Sequence, residues 1–340
     1  MSFGMSFGMW LRHPLFRPLA ALAALLLFNL FAIPGFFHLD IKDGHLYGSL
    51  VDILNRAAPL MLAALGMTLV IATRGIDISV GAVVALSGTV AAMLIGGGPQ
   101  AETPMLWAMC AAMGAALLCG LWNGLLVSSL GLQPIVATLI LMVAGRGLAQ
   151  LLTDGQIVTV YYEPYFFLGG GYLAGLPFSL SVVALVFAAI ALMMRKTALG
   201  LFIQAVGINP VAARLAGLRT ASLIIFVYVF CGACAGLAGL MISSNIKSAD
   251  ANNAGLLLEL DAILAVTLGG TSLAGGKFSL VGSVIGALII QTLTYTIYSL
   301  GVPPEVNMVV KAVVVFLVCL SQSAQFKQLF SRRRAAGSAP

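Results

Sequence analysis

Long apolar runs, broken only by short polar connections, dictate most of what this chain can become. Residues 57–73, "AAPLMLAALGMTLVIAT", and residues 221–243 carry no charge at all. A helix needs roughly 20 apolar residues to cross the hydrocarbon of a bilayer, and runs of that length recur from end to end. Of the 340 residues 61% are hydrophobic and 8% charged, against about 25% charged in a soluble domain. So few charges cannot cover a water-facing surface. A membrane barrel needs alternating in-and-out patterning, and the runs are solidly apolar and rich in Gly and Ala. The expected fold is all-α, a polytopic transmembrane helical bundle.

About ten spans are expected, near 15–33, 57–73, 78–95, 104–128, 134–152, 178–194, 221–243, 257–272, 279–300 and 306–322. Gly and polar residues interrupt the third, eighth and ninth, which predicts broken helices. Basic residues favour cytoplasmic connections. With the N-terminus inside, twelve of the 17 Lys and Arg fall on the cytoplasmic side, including Arg74, Arg195, Lys196, Arg214, Arg219, Lys277 and the "RRR" at 332–334. Most acids fall opposite, among them Asp52, Glu102 and Asp250. Both termini are therefore expected in the cytoplasm. The first run is long enough to span, so it reads as a retained helix and not a cleaved leader. Membrane lipid is an expected contact; nucleic acid is not.

The chemistry-bearing residues are sparse. His13, His38 and His45 lie near the N-terminus, so no metal or nucleophile constellation is indicated, and no cofactor is expected. Cys231 and Cys234 in "CGAC" have redox-motif spacing, but inside an apolar run they read as small residues for helix contact. "LGGTSLAGGK" at 268–277 looks like a phosphate loop and fails as one. Such a loop needs Gly, four residues, then Gly-Lys-Ser/Thr; here Thr271 takes the first glycine's place and Phe278 the hydroxyl's. Its glycines suit a tight turn.

Ionisable groups inside spans suggest function by default. Asp77 in "GIDISVG" precedes a helix start, where it reads as a cap or as a substrate contact. Arg146 lies mid-span and needs an acid or carbonyls. Asp261 and Lys311 form a plausible helix-fixing pair. For a neutral solute the candidate path residues are Gln291, Thr294, Tyr295 and Tyr298, the first, third and fourth on one helical face. Asn123 in "GLWNG" is a further candidate, although Gly120 and Gly124 beside it favour helix packing.

The longest basic connection, 195–220, contains "NPVAARLAG". Asn209 is a favoured N-cap, Pro210 suits the first helical position, and Gly217 can close the helix. About two turns of helix are expected, with Val211, Ala212, Leu215 and Ala216 on an apolar face. The segment either rests on headgroups or fits a partner's groove.

This stretch resembles the coupling segment of ABC-importer permeases, in the branch handling ribose and related monosaccharides. "NRAAPLMLAALGMTLVIATRGIDISVGAVVALSG" at 55–88, "GLWNGLLVSSLGLQPIVATLILMVAGRGLAQLLT" at 120–153 and "ELDAILAVTLGGTSLAGGKFSLVGSVIGALIIQ" at 259–291 resemble three further blocks. "DGHLYGSLVDILNRAAP", "LILMVAGRG" and "ADANNAGL" are similar to the galactofuranose type within that family. Arg74 departs from it, standing where the family commonly has Gly. The resemblance implies 1–14 as a cytoplasmic tail, 15–322 as the permease domain with 195–220 as its coupling loop, and 323–340 as a basic tail. It implies that Gly207, Asn209, Pro210, Ala212, Ala213, Arg214 and Gly217 meet a separate ATP-binding cassette subunit. Further implied partners are a second, non-identical permease, a periplasmic sugar-binding protein and a monosaccharide, galactofuranose or a related sugar. The alternative is a secondary sugar transporter driven by an ion gradient, which usually needs midplane acids; Asp77 is the one good candidate.

Overall fold

A bilayer offers the backbone no water, so apolar runs close their own hydrogen bonds as helices. The computed structural model describes residues 15–316, apart from 43, 99, 304, 305, 307, 311, 314 and 315. In chain order its helices are α1 (Phe16–Ala32), α2 (Ser49–Ala72), α3 (Val80–Ile95), α4 (Met105–Ser128), α5 (Pro134–Leu152), α6 (Glu163–Gly170), α7 (Phe178–Lys196), α8 (Leu199–Ile208), α9 (Pro210–Leu215), α10 (Thr220–Ile246), α11 (Leu258–Leu268) and α12 (Leu280–Ser299). By length and composition α2, α4, α5, α7, α10 and α12 can each cross a membrane, while α1, α3 and α8 are shorter apolar helices.

The helical reading is borne out, with refinements. Among the described residues six helices are long and apolar enough to span, fewer than the ten expected. The expected tenth span, 306–322, falls largely outside them, as do Lys311 and the two tails, 1–14 and 323–340. At 1.5 Å per residue α3 is about 24 Å long and α11 about 16 Å, short of the roughly 30 Å hydrocarbon core, as the polar interruptions foretold. The ninth run differs: α12 is unbroken from Leu280 to Ser299, and Thr294 donates back onto the Ile290 carbonyl (2.9 Å). Helices α6 and α8 went unforeseen, and so did two further features. Helix α2 begins two turns early, at Ser49, and three antiparallel pairs occupy the connections: β1 (Asp40–Lys42) with β2 (His45–Tyr47), β3 (Val158–Thr159) with β6 (Ser248–Ala249), and β4 (Tyr172–Leu173) with β5 (Leu176–Pro177).

Helix α2 is the axis of the bundle. Ala57, Ala58 and every residue from Leu60 to Ala72 are buried or nearly so, wrapped by α10, α12 and α11. Helices α4, α5 and α7 turn large apolar side chains outward, including Leu118, Val143 and Leu185. Close crossings depend on missing side chains. A Cβ on Gly66 would press on the backbone of Cys231, one on Gly120 on the Tyr228 carbonyl, and one on Gly286 on the Ala265 carbonyl. "CGAC" is thus a packing surface for α2, and both cysteines are free and buried. Replacing Gly286 by Val should force α11 off α12 and destabilise the bundle by about 1–3 kcal/mol. Gly114→Ala, where a new Cβ meets nothing within 4 Å, should not. Thermal unfolding of the two variants in detergent reads the difference.

Candidate functional site

Two features stand at opposite ends of α2, which at helical rise is about 36 Å long. At its Ser49 end lies a cavity of about 660 Å³ between α2, α10 and α12, closed on one side by Gly169 of α6 and Ser179 of α7. Helical periodicity brings Gln291, Thr294, Tyr295 and Tyr298 of α12 into its wall, as the sequence spacing predicted. Sequence reasoning did not single out the opposite wall: Asp52, Asn55 and Arg56 of α2 and Asn245 of α10. The signal was present, since 52, 55 and 56 share a helical face.

These groups are held in place. The Arg56 Nε donates to both carboxylate oxygens of Asp52 (2.9 and 3.0 Å), which leaves the cavity with one acid and one base in mutual contact. The Ser179 hydroxyl donates to the Asn55 side-chain carbonyl, and Tyr295 donates to the Ser49 hydroxyl (2.7 Å). Apolar surface comes from Pro59, Met241 and Ile242. The mixture of amides, hydroxyls and tyrosine faces without an unpaired charge suits a neutral, hydroxylated molecule, and the volume falls in the usual range for small ligands.

At the Ala72 end the chain forms a knob. The Asn209 side chain accepts hydrogen bonds from the amides of Val211 and Ala212 (both 3.0 Å), Pro210 opens α9, and Gly217 takes a left-handed φ of 87°. The helix therefore begins and ends where the sequence specified. Ala213 packs inward beside Val206 and Leu223, while Val211 and Leu215 are 67% and 85% exposed, giving the apolar outer face. Arg214 is exposed and Ala212 lies on the same outer side.

Three chain segments meet behind the knob. The amide of Gly276 donates to the Ala72 carbonyl (2.9 Å), and the Arg74 guanidinium donates to the Ile208 carbonyl. A Cβ on Gly207 would overlap both the Ala72 carbonyl and the Gly276 amide. Gly275 and Gly276 have φ of 81° and 90°, so the glycine-rich stretch is a bend packed on the end of α2. Arg74 itself sits at φ 65°, a backbone that Gly adopts freely and Arg does not.

The remaining candidates lie elsewhere. Asn123 does not line the cavity. It is fully buried and donates to Ser79 Oγ (2.9 Å) and Asp77 Oδ1 (3.3 Å). Asp77, 2% exposed, accepts from the Ser79 amide (2.9 Å) and hydroxyl (2.6 Å), bracing the turn just ahead of α3 without bonding an amide of the helix itself. Arg146 finds carbonyls, donating to Ala251 (3.1 Å) and Ala254 (2.6 Å). Asp261 lies in the first turn of α11; its expected partner Lys311 is outside the described residues. Among the described residues no group of three or more His, Cys, Asp or Glu is placed to hold a metal ion.

Comparison with known proteins adds context to this geometry. Residues 49–319 match the family described as the branched-chain amino acid transport system permease component. The chain is 52% identical to the galactofuranose transporter permease protein YtfT of Escherichia coli K12, over 93% of this chain and 92% of that one. It is 40% identical to the fructose import permease protein FruF of Bifidobacterium longum (86% and 83% covered). The ribose import permease protein RbsC of E. coli K12 is also 40% identical (80% and 84% covered). No solved structure matches the chain.

The knob's cap can be tested directly. Asn209→Ala should cost about 1 kcal/mol of local stability and speed hydrogen exchange at residues 211–216, with Asn209→Ser restoring most of the protection. Equal exchange in all three proteins would mean that the cap contributes nothing.

Proposed function

The chain belongs to the family described as the permease component of the branched-chain amino acid transport system, and on that premise we propose that it carries a monosaccharide inward for an ATP-driven importer. It is a multi-pass protein of the inner membrane. The relatives' names speak for sugar, as galactofuranose, fructose and ribose appear among them. The cavity's chemistry speaks the same way. An amino acid carries two fixed charges that need separate partners, whereas Asp52 and Arg56 already bind each other. Galactofuranose or a related sugar is the substrate we assign.

The observation that carries the proposal is the continuity of α2. Its buried shaft joins a polar cavity at one end to an exposed, backbone-anchored knob at the other. We assign the knob, Gly207 to Gly217, as the contact for a separate ATP-binding cassette subunit, which hydrolyses ATP; this chain has no Walker sequence. A periplasmic sugar-binding protein delivers the sugar, and a second, non-identical permease completes the membrane portion. About ten spans with both termini cytoplasmic complete the topology, which puts the knob inside and the cavity toward the periplasm. An ion-driven carrier fits less well. Asp77, its one candidate carboxylate, is enclosed by Ser79 and Asn123 and does not line the cavity between α2, α10 and α12.

Replacing Asn209–Gly217 with a flexible linker of equal length should leave membrane insertion intact and uncouple ATP hydrolysis from sugar uptake in the reconstituted importer. Retained coupling would refute the assignment. Gln291→Ala should raise the uptake KM about fivefold, the equivalent of one hydrogen bond of roughly 1 kcal/mol, without changing basal ATP hydrolysis.

A further inference from the structure

A smaller cavity, of about 270 Å³, opens between the end of α7, α8 and the start of α12. Its lining divides by chemistry. Phe187, Ala191 and Met194 recur at helical spacing on one face of α7 and make an apolar floor, with Leu280 and Val281 of α12 across from them. Arg195, Gln204 and Ser279 form the rim. A Cβ on Gly200 would press on the Met194 carbonyl, so α8 folds tightly against the end of α7 and closes the third side.

The division follows depth in the bilayer. At helical rise α7 is about 28 Å long, close to a hydrocarbon core of about 30 Å. Arg195 and Lys196 occupy its last turn, which sets the rim at the boundary with water. Phe187 lies about 12 Å further along the helix, well inside the hydrocarbon. The cavity therefore runs from headgroup level down into the acyl region.

The rim is basic and its donors are open. Arg195, Lys196 and the neighbouring Lys277 are exposed, and none of them has an ion-pair partner among the described residues. Gln204 is the one polar side chain of α8, and its amide has no hydrogen-bond partner among the described residues. Ser279 accepts from the Gly282 amide (3.1 Å), which leaves other amides of the first turn of α12 without intrahelical partners. A free anion would use this rim and leave the apolar floor wet. A neutral lipid would fill the floor and leave the guanidinium unanswered. Basic pockets between spans at headgroup level suit a molecule that does both.

We infer that this cavity holds an anionic phospholipid, its phosphate at Arg195, Gln204 and the start of α12, and one acyl chain along Phe187 and Ala191. The volume admits a phosphate and the upper part of that chain, and the remainder mixes with the surrounding bilayer. Only the leaflet, the cytoplasmic one, rests on the topology proposed above. The headgroup then lies beside α8, which leads directly into the knob.

Tryptophan quenching by brominated lipid tests the site. In the full-length chain, with Trp10, Trp107 and Trp122 replaced by Phe, Phe187→Trp reports on the floor. Leu185→Trp, on the opposite face of α7 and 70% exposed, reports on bulk lipid. Each variant is placed in phosphatidylcholine nanodiscs that hold a minor share of phosphatidylglycerol, with bromine on the chains of one lipid or the other. Brominated phosphatidylglycerol should quench Phe187→Trp as though enriched about fivefold over its share, the worth of one Lys or Arg near an anionic headgroup. Quenching of Leu185→Trp should follow bulk composition, and Arg195→Gln should remove the excess at the floor. Val281→Trp, on the facing wall, gives the same reading if Phe187→Trp is not recovered folded. No quenching at the floor by either lipid, or quenching that follows bulk composition, would overturn the inference. So would an excess that survives Arg195→Gln. An excess abolished by millimolar inorganic phosphate would assign the rim to a free anion and overturn the lipid. Each of these failures leaves the proposed function standing.

Discussion

Inside a bilayer every backbone N–H and C=O must find a partner within the protein, and three interruptions among the described helices show how this chain supplies partners. The breaks are 73–79, 250–257 and 269–279. Each is answered by a specific polar group on a neighbouring element. Thr138 of α5 accepts from the Ile78 amide (3.2 Å), and Asp77 accepts from Ser79. Arg146 gathers carbonyls of the second break. The Gly276 amide of the third closes on the Ala72 carbonyl. Buried polar residues that look like functional candidates therefore have a structural duty first, and Asp77 with Asn123 performs little else visible in the fold.

The same breaks permit unusually close approach. Gly207, Gly255, Gly269 and Gly282 each put backbone against backbone, with no room for a Cβ. Contacts of that kind have no flexible side chain to absorb a displacement. Helices α8 and α9 thus abut the Ala72 end of α2, whose surrounding residues are packed to nearly zero exposure. The far end of that helix carries Asp52, Asn55 and Arg56 into the first cavity. The coupling proposed above would run over about 36 Å of a helix that holds Pro59 in its interior, a place where helices kink.

Much of this was legible in the sequence, for identifiable reasons. The knob was read nearly residue by residue because its helix is specified locally: Asn209 caps, Pro210 starts and Gly217 stops. The polar face of α12 was legible because Gln291, Tyr295 and Tyr298 recur at helical spacing in an apolar run. What resisted was long-range pairing. Arg146 announced a need for carbonyls, but nothing in one sequence says that they arrive from residues 251 and 254. Asn123 looked like a path residue because its chemistry is right, and its enclosure by Asp77 and Ser79 is set by how α4 meets the start of α3. The early start of α2 was hidden because Asp52 and Arg56 interrupt the apolar pattern there. Those two residues proved to be the cavity's charged pair.

The first cavity and the surroundings of Arg146 handle charge differently. The cavity at the Ser49 end of α2 holds one acid and one base, Asp52 and Arg56, whereas Arg146 has two acids nearby, Glu259 and Asp250. Asp52 and Arg56 are joined by two short hydrogen bonds; the Arg146 guanidinium is occupied with carbonyls and feels both carboxylates through space. A net charge in the first cavity would trap or repel ions, since charges in a low-dielectric surrounding act strongly. A path whose charges cancel locally offers hydrogen-bond donors and acceptors without a deep well. Polyhydroxylated solutes need that combination, because they must exchange one set of hydrogen bonds for another at each step and leave the last set as easily as they entered the first.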